Sequence, residues 1–150
     1  MTTRHIKINS SRAAQLRVLA TKTKISVSTL IEHLINDRVA AGEIPDRFDG
    51  LAITRRGDLV AIVIAGKALP LVSLGAAQHL ARAFGQMLAG EAGAVICVSI
   101  SGHDHVECRR VGTAYRLAWI KTDAQTSVAA FVATRTMLGD VIRQLGEAVR

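Results

Sequence analysis

Three polar side chains alternate near the start of the chain, Thr3, His5 and Lys7, with Ile6 and Ile8 on the opposite parity. On an extended strand that period of two puts the polar set on one face and the isoleucines on the other. Hydroxyl, imidazole and ammonium groups in a row can read base edges, because each base pair of the major groove shows its own pattern of donors and acceptors. A second constellation is Ser26-Val27-Ser28, at a position where a helix can begin. The first N–H groups of a helix lack internal partners and lie at its positive dipole end, a chemistry that suits an anion. Arg4, Arg12 and Lys24 supply cations for further phosphate contacts, with Arg17 and Lys22 as weaker candidates.

A third group, His103, His105 and Cys108, with His79 and Cys97 elsewhere, has the residue types that bind nickel or zinc. Its spacing argues against a site, since on a strand His103 and His105 share a face and Cys108 points away. The simpler expectation is a polar turn followed by a buried thiol, with both cysteines buried and free. No Ser/His/Asp arrangement, phosphate loop or paired carboxylate stands out, so neither an enzyme nor a cofactor is expected. Asn9-Ser10-Ser11 reads as helix capping and Arg56-Gly57-Asp58 as a hairpin turn.

These groups need elements to place them. Residues 3–8 form the strand. Ser10 or Ser11 caps a first helix with apolar positions Ala13, Leu16, Leu19, Ala20 and Thr23, ending near Lys24. Ser26 caps a second, whose stripe is Val27, Leu30, Ile31, Leu34, Ile35 and Val39, stopped by Gly42 and Pro45. The polar segment 43–50 is the best boundary, giving domains 1–45 and 46–150.

Beyond it, residues 51–55 and 59–65 read as a hairpin and 68–72 as a short strand. Ser73 caps a helix to Leu88, burying Ala77, Leu80, Ala81, Phe84 and Leu88. Strands follow at 94–101, 105–111 and 114–121, the last placing Tyr115 and Trp119 on one face, in the core or a dimer interface. A last helix is expected from about Thr126 to Val149. The fold class is therefore α+β. Its C-terminal domain has mostly antiparallel strands and two helices packed on one sheet face, and its strands-then-helix order suggests a duplication of 50–90 in 94–150.

Charge is concentrated where the first two constellations lie. The chain of 150 residues carries a formal +7; residues 1–40 hold seven Lys/Arg against two acids, and the rest twelve against ten. A basic N-terminal quarter favours a polyanion, and nucleic acid fits better than membrane because no basic amphipathic helix with aromatic anchors is present. Hydrophobic residues make up 49%, which excludes wholesale disorder, while aromatics at 3% leave the core to Ala, Val, Leu and Ile. No apolar run reaches the roughly 18 residues of a membrane span, and no signal peptide is read, so a cytoplasmic protein is expected.

Residues 2–42, with the strand at 3–8, the helix after Ser10-Ser11 and Ser26-Val27-Ser28-Thr29-Leu30-Ile31 opening the second helix, resemble the ribbon-helix-helix family of bacterial repressors and plasmid proteins. The resemblance implies a homodimer in which two strands pair antiparallel about a twofold. Thr3, His5 and Lys7 would then contact bases of double-stranded DNA, and Ser26, Val27 and Ser28 a phosphate. Many members have Gly or Asn between the helices, where this chain has Thr23-Lys24-Ile25. Nickel-responsive repressors join a similar unit to a small sensor, but usually one of βαββαβ order. The functions implied are, in turn, transcriptional repression, a relaxosome or partition accessory role on a plasmid, an antitoxin, and a metal-responsive regulator. A scaffold without DNA specificity stands outside the resemblance. Residues 46–150 would set a higher oligomeric state or bind a protein partner.

Overall fold

The computed structural model describes residues 6–124 and 126–150. By its internal contacts the chain divides into two compact units, Met1–Asp46 and Arg47–Arg150.

The first unit contains two helices, α1 (Ser10–Thr23) and α2 (Val27–Ala40). Asn9, not Ser10 or Ser11, caps α1: its Oδ1 accepts from the Ser11 N–H at 2.9 Å. The Asn carboxamide oxygen reaches the orphan N–H two residues on, and the two serines fall inside the helix. At the far end Lys24 takes the left-handed conformation, φ 56°, while Lys24 N–H donates to Thr21 O and Ile25 N–H to Ala20 O. This is a Schellman closure on a residue other than glycine, at a cost of about 1 kcal/mol. Ser26 caps α2, and Gly42, φ 73°, closes it through Glu43 N–H to Arg38 O.

Among the described residues of this unit only Ala20 and Leu30 are buried apolar side chains. Leu19, Thr23, Leu34 and Ile35, expected inside the helical stripes, are exposed. Two short helices cover each other along one seam only; Ala13, Leu16, Val27, Ile31 and Val39 are half-buried, and the rest of each stripe is left open in the single chain. Of the expected strand at 3–8, residues 3–5, including Thr3 and His5, lie outside the described residues, and residues 6–9 are irregular. Among the described residues the first element of the unit is therefore the helix α1.

The second unit is α+β and wholly antiparallel. Strands β1 (Leu51–Arg56) and β2 (Leu59–Ile64) form a hairpin in which Arg56 pairs with Leu59, leaving Gly57-Asp58 as the loop with Gly57 at φ 61°. The single strand expected at 68–72 is two short pieces, β3 (Lys67–Ala68) and β4 (Val72–Ser73), each paired with β2 and separated by a segment containing Pro70, which cannot donate to a ladder. Ser73 caps α3 (Leu74–Ala89), which buries Ala77, Leu80, Ala83, Phe84 and Met87.

A second sheet follows in the order β5 (Val95–Ser101), β6 (Asp104–Val111), β7 (Ala114–Lys121) and β8 (Thr126–Ala133), and α4 (Arg135–Ala148) ends the chain. The long helix expected from Thr126 to Val149 is thus a strand and a shorter helix. Thr126 and Val132 are β-branched and pair with β7, Val128 falls at the register shift between them, and the Thr134 hydroxyl accepts from Met137 N–H and starts α4. Each half of the unit is four strands and a helix. There are two four-stranded sheets, not one, and α3, α4 and the facing sides of both sheets share one core, including Ile64, Leu80, Phe84, Leu117, Leu138 and Leu145.

Candidate nucleic-acid interface

The turn between α1 and α2 brings together the residues that could hold an anion. An open concavity there is lined by Arg17, Ala20, Thr21, Lys24, Ile25, Ser26 and Val27. The left-handed Lys24 reverses the chain so that α2 starts beside the last turn of α1. Ser26 Oγ accepts from Thr29 N–H at 3.0 Å and bonds the hydroxyls of Ser28 at 2.9 Å and Thr29 at 2.8 Å. Helix geometry leaves the N–H groups of Val27 and Ser28 without an intrahelical acceptor, and Ser26 and Ser28 are exposed. Two cations, three hydroxyls and two amides without intrahelical acceptors thus gather near the positive end of a helix, a chemistry that suits a phosphate.

The structure groups Lys24, Ser26, Val27 and Ser28 but leaves Arg12 apart, where its guanidinium bonds the Gln15 carboxamide at 2.8 Å within α1. Lys7 is exposed, while Thr3, Arg4 and His5 lie outside the described residues. Arg17 and Thr29 were under-weighted by the sequence. Arg17 stands seven residues before Lys24, two helical turns, a spacing that returns to the same face and could have linked them.

The metal-ligand candidates do not converge. His103 lies in the turn between β5 and β6, not on the strand with His105. His105 Nδ1 is 3.3 Å from the Thr122 hydroxyl. Cys108 faces the core, fully buried, and burial, aided by the Glu107 charge, pushes its thiol up to about 12. Among the described residues no group of three or more His, Cys, Asp or Glu could hold a metal ion. Cys97 is exposed, against the expectation of two buried thiols, because it projects from the outer side of β5, opposite in parity to the core-facing Val98. Tyr115 and Trp119 sit in the core, and Trp119 Nε1 donates to Asp104 Oδ1 at 2.7 Å.

Comparison with protein-family models, with curated proteins and with solved structures returns no match to this chain. Among the described residues no helix is long and apolar enough to cross a membrane.

Proposed function

We propose that the protein is a homodimeric, sequence-specific binder of double-stranded DNA acting in the cytoplasm, with transcriptional repression as its role. The first unit would provide the contacts: Thr3, His5 and Lys7 from a strand completed by a second copy, and Arg17, Lys24 and the α2 start on the phosphates.

The observation that carries the reading is the unfinished state of the first unit. Ile6 is 85% exposed, Val18 57%, Leu34 47% and Ile35 48%, while Ala20 and Leu30 alone are buried apolar residues among those described. A unit of that size cannot offset its chain entropy with two buried side chains, so it requires a partner surface. A second copy supplies one by twofold symmetry and also supplies the strand that residues 3–8 need for pairing. The charge lies on the same unit, which is what a polyanion ligand asks for.

Selection of the full-length protein on a randomised duplex library, followed by footprinting of the selected sequence, tests this. The expected result is a short inverted or direct repeat protected on one DNA face by a dimer. Recovery of no common sequence would contradict it.

A further inference from the structure

The two sheets of the second unit finish their edges differently. In the first sheet β1 ends in Arg55 and Arg56, and the other side of β2 is bordered by two-residue strands flanking Pro70. Charge, shortness and proline all discourage another strand from adding on. In the second sheet β5 is Val-Ile-Cys-Val-Ser-Ile-Ser, with no charge, proline or glycine, and it pairs only with β6. Its register with β6 is regular from Val95 to Ser99, and a bulge follows between Ser99 and Ser101.

The hydrogen bond from Arg110 N–H to Ala94 O fixes the parity of the ladder. Ala94, Ile96 and Val98 turn their backbone groups toward β6, so those of Val95, Cys97 and Ser99 point off the edge. Among the described residues nothing bonds them. Val95, Cys97 and Ser99 are exposed, and even Ile96 and Ile100, on the core-facing parity, are only partly covered.

The geometry points to a second copy of this chain docking here, β5 against β5 in antiparallel register about a twofold axis through Cys97. The run of five regular residues is centred on Cys97, so that axis sets Val95 opposite the second copy's Ser99 and Cys97 opposite its own counterpart. Each outward N–H and C=O then meets one of matching parity, and the pairing stays within the regular run, whereas a twofold through Val98 would set Val95 opposite Ser101, across the bulge. Neither strand carries a charge to oppose its twin, and Val95, Ile96 and Val98 have the β-branched character that such pairing favours. The result is a continuous eight-stranded sheet across two second units. This interface is separate from the first unit and does not depend on DNA binding.

Cysteine cross-linking of the full-length protein tests it. Directly opposed residues in such a pair have Cα atoms about 5.5 Å apart, within disulfide range. Cys108, buried and with its thiol pushed up to about 12, stays out of the reaction. With diamide as oxidant, the native chain should form a Cys97 disulfide dimer rapidly. Cys97→Ser with Val95→Cys should cross-link at least tenfold more slowly, and adding Ser99→Cys to that variant should restore the rate. The same series in an Ile6→Asp, Ile8→Asp background separates the two interfaces: the order of rates should persist even where the first unit no longer associates. Equal rates for all three chains, or no cross-link in any, would overturn the pairing. Hydrogen exchange gives a second readout that needs no substitution. The Val95, Cys97 and Ser99 amides should become protected as protein concentration rises, and unprotected amides at every concentration would likewise overturn it.

Discussion

The first unit and the second solve the problem of burial in opposite ways. Residues Arg47–Arg150 enclose a core of their own, with Val60, Val72, Ala77, Cys108 and Leu138 wholly shielded from solvent. The unit Met1–Asp46 has well-capped helices but, among its described residues, almost no interior, and Ile6, Val18, Leu19, Leu34 and Ile35 stand in solvent. Good local signals with too little core describe an element built to be finished by something else, whereas the second unit satisfies local and tertiary demands together.

Substitutions can break that contrast from either side. The largest effect is expected for Leu34→Asp with Ile35→Asp. These side chains are already exposed in the single chain, so a monomeric first unit would tolerate the change, while an obligate dimer would lose association and more than a hundredfold in DNA affinity. Sedimentation and fluorescence anisotropy read both outcomes, and the unfolding transition of the second unit should not move.

Leu138→Ala acts from the other side. It removes a fully buried side chain from α4 and should destabilise the second unit by about 2–5 kcal/mol, measured by urea denaturation, with DNA affinity little changed.

Much of this contrast was legible in the sequence because capping and turn chemistry are local. Ser26, Ser73 and Gly42 mark helix ends through hydrogen bonds within a few residues, and Gly57-Asp58 marks a hairpin in the same way. The strand β8 was not legible. Val128, Phe131 and Val132 fit helical spacing as well as extended spacing, and only pairing with β7, a long-range contact, decides between them. The exposure of Leu34 and Ile35 was hidden for a related reason, since periodicity shows that a stripe exists but not which chain covers it. At the candidate site the Ser26 cap and the two-turn spacing of Arg17 and Lys24 were readable, whereas bringing the α2 start beside Arg17 needed the reversal that Lys24 makes.

Smaller effects sharpen the account within the first unit. Lys7→Ala should lower affinity for the selected site by about 1–3 kcal/mol while leaving non-specific binding nearly intact, as judged by titrating matched and scrambled duplexes. An equal loss on both would reassign Lys7 to phosphate contact. Ser26→Ala removes the oxygen that accepts from Thr29 N–H and should cost about 0.5–2 kcal/mol of stability in the first unit. Circular dichroism across a thermal ramp reads it, and an unchanged transition would mean that the cap is dispensable.

The central claim is that the basic, unfinished first unit is completed by a second copy and by DNA. The most direct test is a salt titration of full-length protein on its selected duplex and on a scrambled duplex of the same length and composition. The account predicts that affinity for both falls steeply and log-linearly with salt, while the selected duplex stays at least about a thousandfold preferred. Equal affinity for the two sequences, or binding indifferent to salt, would contradict it.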